Sequence, residues 1–145
     1  MNRTNIGLWA VGGLLILVIN PLWTEYWLER ASRQVDELIA QTEPTRNLAS
    51  AHYQNVLGWL QRGGSKGEPC VNFTKWLSQD LVQLRADVAE ISAYVPPLFA
   101  AIEGVELLQG KLNYWRNRTI GLQLRVQLTQ AMVQRYCFDS APRHA

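Results

Sequence analysis

The chain opens on an uncharged run, Thr4 to Thr24, that is densest in apolar residues from Ile6 to Ile19. The stretch between Arg3 and Glu25 matches the roughly 20 residues with which a helix crosses a ~30 Å bilayer core. Gly7, Gly12, Gly13 and Pro21 fit that reading, since both residue types are commoner in spanning helices than in soluble ones. Trp9 lies near one end and Trp23, Tyr26 and Trp27 near the other, so these four are expected as membrane-interface anchors. A cleaved signal is the rival reading, but no small-x-small site follows Ile19.

Beyond the run the spacing turns amphipathic. Trp27, Ala31, Val35, Leu38 and Thr42 share one helical face, and Pro44 predicts a break at Glu43. A second helix is predicted over 45–61, with Ala49, Tyr53, Val56, Leu57 and Leu60 on its stripe and Trp59 beside it. Arg62 to Pro69, RGGSKGEP, reads as a loop; it does not match the phosphate-loop pattern and no apolar strand precedes it. Asn72 is the expected N-cap of the next helix. In that helix Phe73, Leu77, Leu81, Leu84, Val88, Ile91 and Val95 fall at steps of 4, 4, 3, 4, 3 and 4, close to a heptad seam. Pro96-Pro97 ends it and predicts a turn into an antiparallel neighbour.

The segment from Leu98 to Phe138 starts as a helix through Ile102, Val105, Leu108, Leu112 and Trp115. Then Ile120, Leu122, Leu124, Val126 and Leu128 alternate strictly, which is the period of a strand. The residue types favour a helix, and as a helix the stretch carries two apolar stripes, expected to be buried between two neighbours. The predicted fold class is therefore all-α: one N-terminal transmembrane helix, then a small antiparallel helical bundle with a coiled-coil-like seam. The alternative is α+β, if 119–129 forms a strand. The expected organisation is a cytoplasmic head over 1–5, a transmembrane helix over 6–23, a helical extramembrane domain over 24–139 and a disordered tail over 140–145. Arg3 is expected to keep the head in the cytoplasm, which places the rest outside the inner membrane, on the periplasmic side.

Charge adds an asymmetry. The net charge is only +2. Acids outnumber bases from Thr24 to Glu106, whereas after Leu107 the bases Lys111, Arg116, Arg118, Arg125, Arg135 and Arg143 face only Asp139. This is either a basic helix packed beside acidic ones or a basic face for an anionic partner. A mild net charge gives no reason to expect nucleic acid. Cys70 and Cys137 are a disulfide candidate if the domain meets an oxidising compartment. With His52 they match no metal-site spacing, so no metal is expected. Asn72-Phe-Thr74 and Asn117-Arg-Thr119 fit the glycosylation pattern, which is short enough to arise by chance.

Catalytic patterns are missing: no H-E-x-x-H, no G-x-S-x-G and no dinucleotide fingerprint. No catalytic residue and no cofactor are expected. The expected function is a non-catalytic, single-pass structural subunit of a membrane protein complex, built on helix–helix contacts. Its expected partners are membrane lipid and other membrane-protein subunits or a second copy, with Leu77, Leu81, Leu84, Val88 and Ile91 as partner-contact candidates. The alternative is a sensory or lysis-regulating binding domain on the periplasmic side. In organisation alone the layout resembles small assembly-platform proteins of type II secretion and type IV pilus machines. Those have a short head, one span, a coiled coil and a small α+β domain, to which a strand at Ile120–Leu128 would correspond.

Overall fold

The computed structural model describes the backbone over 3–95 and 103–139, and side chains within those ranges from Trp23 onward, Thr24 and Glu103 excepted. Three helices follow one another: α1 (Arg3–Gln61), α2 (Glu68–Ala93) and α3 (Glu103–Phe138). Contacts fix their directions. Ala31 and His52 of α1 meet Tyr94 and Asp80 respectively, so residue numbers rise along α1 as they fall along its neighbour. Cys70 and Ser78 of α2 meet Cys137 and Gln130 of α3. Thus α2 runs antiparallel to both others, and α1 and α3 run parallel.

There is no strand among the described residues. The alternation at 119–129 is helical, because these residues lie mid-way along α3 and pack against two other helices. Only one of its expected stripes is buried. Leu122, Val126 and Val133 join the core, whereas Leu124 and Leu128 are exposed.

Two further expectations are corrected. Pro44 does not break the chain; α1 continues through it. Proline cannot donate to the carbonyl four residues back. Next to that point, the Ile39 carbonyl accepts from the Thr42 hydroxyl at 2.9 Å and from Arg46 Nη2 at 3.2 Å, so side chains supply donors beside the missing one. Asn72 is not a cap, because α2 already starts at Glu68, with Gly67 before it and Pro69 in its first turn. The end of α1 is closed by backbone bonds from Gly63 N–H to Leu60 O (3.1 Å) and from Gly64 N–H to Trp59 O (2.9 Å). That pairing requires the left-handed conformation found at Gly63, φ +62°.

The core comes in two apolar blocks. One, near the α1–α2 turn, joins Ala49, Val56, Leu77, Leu81, Leu84, Val126 and Val133. The other, at the far end, joins Ala31, Val35, Ile39, Ile91, Leu108 and Leu112. Between them lies a buried polar layer of Thr42, Arg46, Asp87 and Thr119. Cys70 and Cys137 form a disulfide, with Cα atoms 5.9 Å apart, tying the first turn of α2 to the last of α3.

Among the described residues no helix is long and apolar enough to cross a membrane. From Glu25 on, α1 carries charge on nearly every turn (Glu29, Arg30, Arg33, Asp36, Glu37), and its apolar side is a single stripe spent on α2 and α3. That finding stands against the expected single-pass localisation in the inner membrane. Trp9 and the side chains of 1–22 lie outside the described residues, as do the Pro96-Pro97 turn and the tail over 140–145. Of the other expected interface anchors, Trp23 and Tyr26 each set an edge against half-buried Trp27, at 5.7 and 5.8 Å between ring centres. Arg30 lies over the Trp27 ring.

Candidate functional site

The polar layer in mid-bundle opens onto a groove between α1 and α3. Both helices are parallel here, so Glu43, Arg46, Asn47 and Ser50 on α1 face Tyr114, Trp115, Arg118, Leu122 and Arg125 on α3. The cavity measures about 770 Å³.

Arg46 forms the inner wall and is only 6% exposed. Its guanidinium donates to the Thr42 hydroxyl and the Ile39 carbonyl and lies 4.4 Å from the centre of the Trp115 ring. A buried cation is tolerated where hydrogen bonds and an aromatic face replace water. Burial still pushes the Arg46 pKa down, while nearby Asp87 and Glu43 favour its charge and Arg118 opposes it. Asp87, on α2, answers from behind the groove. Burial raises its pKa, a Thr45 hydrogen bond and Arg46 oppose the rise, and Glu90 adds to it. Asp87 Oδ2 is buried with no hydrogen-bond partner among the described residues. The layer is therefore incompletely paired, which costs stability relative to an apolar filling. Thr119 completes the layer; its hydroxyl donates to the Trp115 carbonyl at 2.7 Å.

Arg118 and Arg125 stand at the mouth. Arg118 donates to the Tyr114 hydroxyl at 2.8 Å, and Arg125 to the Tyr53 hydroxyl at 3.5 Å. Neither forms an ion pair among the described residues. Lys111, a turn and more away, is paired with Asp36 of α1. The basic last helix is thus only partly answered by its acidic neighbours.

The residues singled out from sequence fall elsewhere. Leu77, Leu81, Leu84 and Ile91 are buried in the chain's own core, and Val88 is half-buried. Most of the heptad seam thus packs internally, whereas Val95 at its end is 76% exposed. His52 sits on the α1–α2 side. Its Nδ1 lies 2.7 Å from Asp80 Oδ2 and its ring stacks on Trp76 at 4.8 Å. Sequence spacing gave no hint of that pair, because it is made across 28 residues by the antiparallel register. The groove was missed for a similar reason. Arg46 looks like an ordinary surface arginine until α3 covers it. The one legible signal was the surplus of bases after Leu107.

Compared with protein-family models, curated proteins and solved structures, the chain finds no match.

Proposed function

We propose that the protein is a non-catalytic structural subunit that joins a larger assembly by helix–helix packing, with the outward face of α3 as the docking surface. The observation behind this reading is a row of large apolar side chains left uncovered. Leu124, Leu128 and Met132 follow at steps of four along α3 and are 58%, 64% and 42% exposed. Such a row is one helix-wide stripe, the form in which a groove or a second helix is offered to an amphipathic partner. The core beneath needs no further cover, since its buried positions already alternate in heptad steps along all three helices.

Charge selects the occupant. Arg118, Arg125 and Arg135 flank or interrupt the stripe, and no acid lies on α3 after Glu106. Two copies laid stripe to stripe would set arginines against arginines. An acidic amphipathic helix of another protein would bury its apolar face on Leu124 and Leu128 and set carboxylates beside the arginines. The surface is therefore read as hetero-specific.

A photo-crosslinking residue placed in turn at Leu124, Leu128 and Met132, and on the other side at Gln83 and Arg85, tests this in cells. Adducts confined to the α3 positions, mapping to an acidic amphipathic segment and lost with L124E, support it. Adducts with the chain itself, or equal yields from both faces, would overturn it.

A further inference from the structure

We propose that the groove between α1 and α3 is a binding site for a small organic anion carrying at least two carboxylate or phosphate groups. The site shares Arg118 and Arg125 with the rim of the α3 docking stripe, but it rests on the groove they line with α1 and not on Leu124, Leu128 or Met132. A cavity of about 770 Å³ lies within the range of small-molecule sites, roughly 300–1,000 Å³. Its charge is lopsided: Arg46, Arg118 and Arg125 line it against a single acid, Glu43.

The arginines are held in place but not satisfied. Arg118 donates one Nη to the Tyr114 hydroxyl at 2.8 Å and Arg125 one to the Tyr53 hydroxyl at 3.5 Å, which restrains both side chains and leaves the rest of each fork open. An arginine fork matches a carboxylate or phosphate through two parallel hydrogen bonds. Fixing such a group before the ligand arrives lowers the ordering cost of binding. Arg118 and Arg125 are seven residues apart, about 10 Å along the helix axis. Two long side chains leaning together across that span can each take one anionic group of a compact ligand.

The floor is Trp115, whose ring centre lies 4.4 Å from the Arg46 guanidinium and 5.6 Å from that of Arg118. These cations lie close enough for Arg118 to oppose the charge of Arg46. An anion in the groove would relieve that repulsion. Asn47, Ser50 and Asn117 add neutral donors and acceptors on the walls, suited to hydroxyl or amide groups of the ligand.

Citrate and pyrophosphate are the probes, titrated calorimetrically into the oxidised full-length chain at constant ionic strength, with indole ¹H–¹⁵N spectra recorded alongside. One saturable site is expected, with a shift of the indole resonance that W115F removes. The citrate and pyrophosphate arms separate a carboxylate from a phosphate preference. R118Q/R125Q should weaken binding about tenfold or more, which corresponds to at least one lost charged contact. The charge-preserving R118K/R125K should weaken it less, and R135Q not at all. Both pairs alter exposed side chains, and unchanged thermal unfolding will verify the fold. Absence of saturable binding, or a loss in R135Q equal to that in R118Q/R125Q, would overturn the proposal, since the attraction would then be diffuse.

Discussion

Removing the Cys70–Cys137 bridge is the sharpest test of how this bundle is held together. The bridge joins positions 67 residues apart, across nearly the whole of α2 and α3. Cross-linking over that distance removes about 15 cal/mol/K of entropy from the unfolded chain, or about 4 kcal/mol at 25 °C. Small domains have only ~5–15 kcal/mol in total, so the loss is a large fraction. Two comparisons with the oxidised protein separate the bridge from the sulfur atoms: the reduced wild type and C70A/C137A. Urea unfolding followed by tryptophan fluorescence should give both a stability lower by about 3–5 kcal/mol, with alanine slightly worse because Cys70 is buried. The midpoint of thermal unfolding should fall by about 15 °C, taking ~4 °C per kcal/mol for a domain of this size. The urea slope should rise, because an unbridged chain exposes more surface on unfolding. A loss under ~1 kcal/mol with an unchanged slope would refute the reasoning. The ends of α2 and α3 would then already be held together in the unfolded chain.

The remaining expectations concern the core, the turn and the polar layer. Leu84 is fully buried, so L84A should cost ~2–5 kcal/mol in urea unfolding, whereas L128A on the exposed stripe should stay within ~0.5 kcal/mol; equal costs would mean that the two faces of the bundle are misassigned. A Cβ at Gly64 would lie 2.0 Å from the Trp59 indole, so G64A should destabilise by about 1–3 kcal/mol and shift the Trp59 emission. An unchanged spectrum would contradict that packing. P44A restores a backbone donor in mid-helix and should raise stability by up to ~3 kcal/mol, checked by thermal unfolding; a fall would show that the side-chain bonds at Ile39 depend on the proline. Burial raises the Asp87 pKa in the folded state. The native chain then holds this proton more tightly than the unfolded one, so stability falls as pH rises from the usual carboxylate range through the raised value. D87N should therefore be more stable than wild type at pH 7, with the difference closing in acid. A difference independent of pH would remove Asp87 as its cause.

Much of the helical plan was legible from local chemistry. The heptad spacing from Phe73 to Ile91 specifies one buried stripe whatever lies against it, because residues three and four apart share a helix face. The Gly63-Gly64 pair and Pro69 mark the α1–α2 turn through backbone freedom and restriction that belong to those residues alone. Sequence also raised the cysteine pair and the basic surplus after Leu107. Pairing in space was beyond it. At 119–129 the residue types already favour a helix over the strand that period two suggests, but only the neighbours of α3 decide that Leu124 and Leu128 stay outside. Pro44 predicts a break by local sterics, but packing on both sides keeps α1 continuous. Whether Arg46 is a surface charge or the inner wall of a groove depends on Trp115, far along the chain, being laid over it by the parallel run of α1 and α3. Local rules set each helix and its apolar face; the register of three helices against one another decided what was buried together, because that choice is made by long-range packing rather than by any one segment.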